Sequence, residues 1–424
     1  MDGPATDLEL AITGIAGGGD GLGHDAGGRV VFVPGAAPGD TVRVRLIDER
    51  ARFARGVVVE VVSPAPGRVT PPCPHVAEGC GGCGWQHLDL ATQRELKATI
   101  VSDALHRIGR LDEVPDIAPG PDLASTGHRT TVQGAVIDGR FAYRRAASHD
   151  LVEADGCLTA HPLARELIDN GSFGDATGVT LRVGVATGER LAVLEPSIGD
   201  GVSLPDDVIV TGTDELRAGR RAWLHEEVAG RRWMISARSF FQTRPDGAEA
   251  LVEKVRDLVA GVLGPDLRLV DLYAGVGLFA GTLGGGGGAG HIVAVESGAS
   301  AAHDARANLA DLGDMVTVVK ADVDRWRPSP ADLVIADPAR KGLGVAAVER
   351  VAATGAPTVV LVSCDPASLG RDAGLLTAAG YRLTDVTLVD LFPHTPHIEA
   401  VSRFVRGRVI QGRVGLRTMT DTDD

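Results

Sequence analysis

The sequence predicts an α/β chain of three domains, and three observations carry that prediction. From about residue 236 to 410, continuous apolar runs (LRLVDLY, HIVAVE, ADLVIADP, PTVVLVSC) alternate with helical stretches. Strands that are apolar on both faces and separated by helices belong to a parallel, Rossmann-like sheet covered on both sides. Residues 1–65 instead carry short β-branched runs (RVVFVPG, DTVRVRLI, ARGVVVEVVS) divided by Gly, Pro and Asp, the pattern of a small β-barrel. Residues 70–235 mix one helical period with strand-like pieces, which predicts an α+β domain.

The elements follow in order. The Pro-rich stretch SPAPGRVTPPCP, Ser63 to Pro74, reads as a linker. Beyond it, apolar Leu96, Ile100, Ala104 and Ile108 recur every four residues, which predicts a helix from about Leu90 to Gly109. TVQGAVI, FAYRRA and TLRVGVAT read as strands of the middle domain. The run Gly284 to Gly288 predicts a loop between a helix and the next strand, and the polar residues 411–424 predict a disordered tail.

Composition bounds the function. Aromatic residues make up 4% of the 424, so the cores must rest on Val, Leu, Ile and Ala. No apolar stretch approaches the ~20 residues of a membrane span. The acidic start MDGPATDLELAI lacks the basic and apolar regions of a secretory signal, so a cytoplasmic protein is expected; a monomer is the separate expectation for its oligomeric state. The net charge of −14 counts against a nucleic-acid partner when taken over the whole chain. Local basic clusters exist nevertheless: Arg43, Arg45, Arg50, Arg52 and Arg55, and the pair Arg144 and Arg145.

The ends of the predicted parallel strands carry polar residues, where open α/β sheets bind ligands. LRLVDLYAGVGLF sets a strand ending near Asp271 before a turn through Gly275 and Gly277. Glu296 ends the next strand, where a carboxylate can accept both hydroxyls of a ribose. Asp322 ends another and suits an adenine amino group. A dinucleotide turn would place a third glycine at position 280, where Ala280 stands; this tilts the balance toward a methyl-donor nucleoside. Asp337 and Cys364 each follow an apolar strand directly, so both belong at the same rim, and Glu399 begins a later alternating run.

The chain has five cysteines, too few for a disulfide framework. Cys73, Cys80 and Cys83 form C-x6-C-x2-C, with Cys157 as a remote fourth. This spacing leaves an iron–sulfur cluster, a zinc ion and no ligand all open. His75 and His87 stand near enough to compete as ligands and are read as structural.

Taken together, GGRVVFVPGAAPGDTVRVRL, the four cysteines, SFFQTRP, DLYAGVGLF, DPARKG, SCDPASLGRD and HTPHIE resemble, in order and over nearly the whole chain, the RNA 5-methyluridine methyltransferase family. The resemblance implies a TRAM domain for the barrel and a 4Fe–4S cluster on Cys73, Cys80, Cys83 and Cys157. It implies a Rossmann-like domain binding S-adenosylmethionine through Gln242, Tyr273, Glu296 and Asp337, joined by Asp322. It also implies Cys364 as nucleophile and Glu399 as base in methylating C5 of a uridine, in ribosomal rather than transfer RNA. The residue types suit that chemistry. A thiolate adding at C6 turns C5 into an enolate-like carbon that can attack a sulfonium methyl, and a base then removes the C5 proton. The target base must leave its stack to reach the thiol. Leu278 departs from the pattern, since several relatives carry Asn there. A methyltransferase acting on cytosine and a non-catalytic RNA-binding protein of the same fold are the rival readings.

Overall fold

The computed structural model describes residues 7–285 and 288–407. Part of the glycine run and the tail 411–424 lie outside these residues.

Strands Leu8–Ile15, Gly21–His24, Val30–Val33, Thr41–Glu49 and Phe53–Ser63 close into a barrel. The barrel is filled by alternate residues, among them Leu10, Ile12, Val31, Val33, Val42 and Val44, because successive side chains of a strand point to opposite faces. The Pro-rich stretch expected to be a linker is tied back to it. Buried Asp40 accepts the Ala65 amide at 2.8 Å and pairs with Arg68 at 2.5 Å.

The middle region holds a six-stranded sheet. Its order is Val208–Gly212, Arg190–Glu195, Gly178–Val183, Thr131–Ile137, Arg140–Arg144 and Leu151–Glu153. Helix Pro162–Asn170 covers it, and Phe141, Leu167, Phe173, Leu181 and Leu194 form the core between.

The last region is the predicted Rossmann-like sheet. Five parallel strands run in the order Val316–Lys320, His291–Glu296, Arg268–Leu272, Leu333–Ala336 and Thr358–Ser363. Ala400–Arg406 continues it antiparallel, and Tyr381–Leu388, antiparallel to that strand, runs in the direction of the first five. The eighth strand, Ile117–Pro119, comes from the middle segment and pairs parallel with Tyr381–Leu388. The chain runs outward in both directions from Arg268–Leu272, which makes its carboxyl end the switch point where such sheets open a crevice.

The helix predicted from Leu90 is observed as Leu90–Arg107, and its buried stripe differs from the apolar spacing. Ile100 and Ala104 are buried, Ile108 is 48% exposed, and polar Gln93 and Lys97 are fully buried. The helix packs against helix Pro366–Ala378 of the large sheet. At the crossing a Cβ on Gly370 would lie 2.4 Å from the Ala104 carbonyl, so the close approach requires glycine there. The two polar side chains are buried because they bond a loop of the large sheet.

Candidate active site

Register alone assembles most of the predicted site. Leu272 pairs with both Val295 and Ala336, so the residues that follow, Tyr273, Glu296 and Asp337, leave the sheet side by side. Ser363 pairs antiparallel with Ala400, which puts Cys364 opposite Glu399. These residues and Gln242 line one pocket of about 1880 Å³. Asp322 is not among the residues lining that pocket, although Tyr273 is, and the phenol of Tyr273 is raised by burial and then by the charges of Asp324 and Asp322. Glu296 pairs with Lys320 on the edge strand, so Asp322 lies past the rim. It is exposed, and its carboxylate caps the turn Val323–Arg325 through the Asp324 amide at 3.1 Å. Leu278 also turns away from the pocket, into the core.

The pocket's buried wall is acidic, while Arg129, Arg238 and Arg340 line it as well. Glu296 accepts the Gly275 amide at 2.9 Å and the Gly298 amide at 2.5 Å. Gln242 donates to Asp337 Oδ2 at 3.4 Å. Burial raises the carboxyls of Asp337 and Glu399, and the Asp337 charge raises Glu399 further. Asp271, fully buried beneath them, is pushed up to about 7 by burial; its Oδ2 accepts the Ala280 amide at 2.9 Å, while Oδ1 has no partner. The Cys364 thiol is pushed up to about 12, first by burial and then by the Glu399 and Asp337 charges, against a lowering by Arg340. A buried group avoids its charged form unless an opposite charge arrives. The pocket therefore suits a cationic ligand, and a sulfonium nucleoside fits that requirement. Tyr273 adopts φ +60°, a conformation that costs a bulky residue energy and is concentrated at ligand clamps.

Sequence reasoning missed several pocket residues. Arg340, Phe240 and His397 lie inside motifs singled out above, yet their roles were invisible. Phe240 lines the same pocket as Cys364 and is 65% exposed, a free aromatic face. Burial, then Arg340, lowers the His397 imidazole to about 4, leaving it neutral. No local signal marked Arg129, or the residues that hold the loop leading to Glu399. Lys97 Nζ donates to Asp390 Oδ1 at 2.6 Å and to the Phe392 carbonyl at 2.9 Å. Gln93 Oε1 accepts the His394 amide at 2.6 Å. Trp85 donates its amide to the His394 carbonyl at 2.9 Å and Nε1 to the Gly19 carbonyl at 3.0 Å. Gly19, on a barrel loop, lies so close to Pro396 that a Cβ would come within 2.5 Å. Barrel, cysteine loop and the loop leading to Glu399 thus meet at Trp85.

The basic clusters differ in how far they are paired. Arg43, Arg45, Arg50 and Arg55 of the barrel pair with Glu60, Asp7, Asp48 and Asp20. Arg52, Arg144 and Arg145 enter none of the ion pairs among the described residues, and a further cationic set, Arg129, Arg238 and Arg340, lines the pocket.

Cys73, Cys80, Cys83 and Cys157 carry free thiols and line a second cavity of about 430 Å³. Burial and the neighbouring thiols push Cys80 up, and Cys83 to about 11. Both ring nitrogens of His75 are engaged, by Glu78 at 2.9 Å and the Asp155 carbonyl at 2.6 Å. Among the described residues, no three His, Cys, Asp or Glu side chains converge closely enough to hold a single metal ion. No helix among them is long and apolar enough to cross a membrane.

Comparison with known proteins agrees with the fold. Residues 6–59 match the TRAM domain. An uncharacterized RNA methyltransferase of Streptomyces avermitilis is 34% identical over 93% of this chain and 97% of its own. A 23S rRNA (uracil(1939)-C(5))-methyltransferase of Alkalilimnicola ehrlichii is 33% identical over 95% of this chain and 97% of its own. Among solved structures, the Pyrococcus abyssi tRNA (uracil-54, C5)-methyltransferase in complex with S-adenosyl-L-homocysteine superposes with a TM-score of 0.71 at 25% identity, covering 94% of this chain and 99% of that one. With a TRAM barrel, a Rossmann-like methyltransferase domain and near-full-length relatives, the chain belongs to the RNA methyltransferase family.

Proposed function

We propose that this methyltransferase transfers a methyl group to C5 of a uridine in RNA, through a covalent bond between Cys364 and C6. The observation that carries this reading is the strand register that sets Cys364 opposite Glu399, beside acids that call for a cation. S-adenosylmethionine supplies the electrophilic methyl. Gln242, Tyr273, Glu296 and Asp337 would hold it, with Asp322 at most an outer contact through the edge strand. The exposed Phe240 face offers a platform for a flipped base.

Cys364 adds as thiolate to C6, which makes C5 the carbanion that takes the methyl group. Glu399 then removes the C5 proton, the C5–C6 double bond re-forms and the Cys364–C6 bond breaks. Glu399 must be ionised before that last step, and the sulfonium charge favours this state from the moment the donor binds until methyl transfer leaves the neutral thioether. His397, neutral and beside Arg340, is placed to hydrogen-bond the substrate without adding charge.

We also propose that Cys73, Cys80, Cys83 and Cys157 hold an iron–sulfur cluster. Four free thiols share a cavity with Gln86, whose buried Nε2 is otherwise unpartnered. Zinc would require all donors ~2.3 Å from one centre, whereas these side chains surround a space without converging on a point. The cluster would supply a cross-link and a fixed negative charge. Ribosomal RNA is the proposed substrate, supported by the full-length likeness to a 23S rRNA enzyme.

Incubation with labelled donor and bulk RNA, followed by digestion to nucleosides, should give 5-methyluridine. Label in 5-methylcytidine would replace uridine by cytosine as target. A 5-fluorouridine transcript should leave an adduct that survives denaturation and is lost in Cys364→Ala. Undiminished turnover in that variant would remove Cys364 from the mechanism.

A further inference from the structure

Two consecutive residues stitch the cysteine cavity to the catalytic pocket. The Arg129 amide donates to the Thr159 carbonyl at 2.8 Å, and the Arg129 carbonyl accepts the His161 amide at 2.9 Å. These bonds tie Arg129 to the segment that presents Cys157. The next residue, Thr130, donates its amide and its hydroxyl to the Thr243 carbonyl at 2.8 and 3.0 Å, directly after Gln242. The Arg129 side chain lines both cavities. Its positive charge acts on Cys83 on one side and on His397 on the other. None of the ion pairs among the described residues uses it, although arginines elsewhere, such as Arg94 and Arg190, find carboxylates.

A guanidinium left without a carboxylate at a pocket mouth has two anions within its reach. One is the thiolate set, since metal-bound thiols are deprotonated. The other enters with the substrate: a nucleotide swung out of its stack carries its phosphate to the rim. The planar fork of arginine matches phosphate in a bidentate way that a neutral base edge cannot.

Building on the RNA reading of this pocket and on the proposed cluster, we infer that Arg129 grips the phosphate of the target nucleotide, held at the shared wall by its backbone bonds to the Cys157 segment and by the charge such a cluster would carry. The cysteine site then sets how tightly RNA is held, without touching RNA or methyl donor itself. Arg238 and Arg340, exposed at the same mouth, take part in the grip but have no link to the thiols.

The test uses the full chain, purified anaerobically with its metal. The probe is a fluorescent single-stranded oligouridylate, titrated over a salt series. Arg129→Gln should weaken binding roughly tenfold, as expected for one charged hydrogen-bonded contact, and flatten the slope of log affinity against log salt by about 0.7. Metal content and S-adenosylhomocysteine affinity should not change. Arg129→Lys should keep the slope and lose only part of the affinity. Cys157→Ser, which lowers metal content, should flatten the slope equally, and adding Arg129→Gln to it should cost nothing more. A full slope in Arg129→Gln overturns the inference. So does loss of metal in that variant, which would make Arg129 a counter-ion of the thiols alone, and so do additive losses in the double variant. Should Cys157→Ser fail to fold, the Gln and Lys variants with intact cysteines decide. Methyl transfer by the unsubstituted protein tests the function separately: its absence, with the slope still lost in Arg129→Gln, would sink the uridine reading and leave the phosphate contact standing.

Discussion

Replacing Lys97 by methionine is expected to release the loop that carries Glu399. Lys97 is 0% exposed and the Asp390 side chain 7%, with their charged atoms 2.6 Å apart. Methionine keeps the stem's volume but leaves the Asp390 carboxylate buried without its main partner. Breaking one side of such a pair costs about 3–5 kcal/mol. Arg94 stands 3.8 Å from the other Asp390 oxygen, 35% exposed, and retains part of the compensation, so the low end, about 3 kcal/mol, applies. That is roughly a hundredfold in the equilibrium between seated and opened loop. Native-state hydrogen exchange reads it locally. The reporters are the Val389 amide, bonded to the Glu399 carbonyl at 2.8 Å, and the His394 amide, bonded to Gln93 at 2.6 Å. Their protection should fall about a hundredfold, and turnover with it, while amides of the distant barrel keep theirs. The double variant Lys97→Met/Asp390→Asn removes the stranded charge and should recover most of the protection. Unchanged exchange in Lys97→Met, or a double variant as loose as the single one, would refute the electrostatic account of how the loop is seated.

Four further outcomes follow from the same geometry. Asp271 holds its proton to about pH 7 in the folded state against 3.8 as reference. The folded state thus binds more protons between these values, so ligand-free stability falls as pH rises from about 4 to about 7. Three units at ~1.36 kcal/mol each give about 4 kcal/mol; urea midpoints of Asp271→Asn should lose that portion of the slope and lie above those of the unsubstituted protein at pH 8. The thiolate absorbance of Cys364, taken as the difference from Cys364→Ser, should rise at fixed pH on adding S-adenosylmethionine and stay flat with neutral S-adenosylhomocysteine; equal responses to both would show that charge is not the cause. Gly19→Ala meets both a φ of +92° and the Pro396 ring, so it should lower turnover severalfold by unseating the barrel from the catalytic loop, with the isolated barrel signature in circular dichroism retained. Asp322→Ala should change donor affinity by less than about threefold, within the ±0.5 kcal/mol usual for exposed sites, whereas Asp337→Asn should weaken it at least tenfold; the reverse order would restore Asp322 to the pocket.

The barrel and the parallel sheet were legible in the sequence because period and turn chemistry are local properties. Alternation in RVVFVPG and DTVRVRLI, and unbroken apolar runs such as PTVVLVSC, encode which faces are buried. A parallel sheet also aligns its strand ends, so polar residues just after those runs had to share a rim. That is why Glu296, Asp337 and Cys364 could be assigned from the chain alone. The same rule put Asp322 near Tyr273, whose phenol is raised by burial and then by charges that include its own, but outside the lining of the pocket, because its strand lies at the sheet edge. Periodicity failed for helix Leu90–Arg107, where apolar spacing chose Ile108 and the fold buried Lys97.

What tertiary structure decided is where charge goes. Sequence lists arginines and cysteines but not their partners, and Coulomb interactions depend on distance through space rather than along the chain. Only folding neutralised the barrel arginines with Asp7, Asp20, Asp48 and Glu60, left Arg129 bare between two cavities, and set Lys97 against an aspartate 293 positions away. The chain's own pattern specified the scaffold and the residues at its rim; packing specified the field around them.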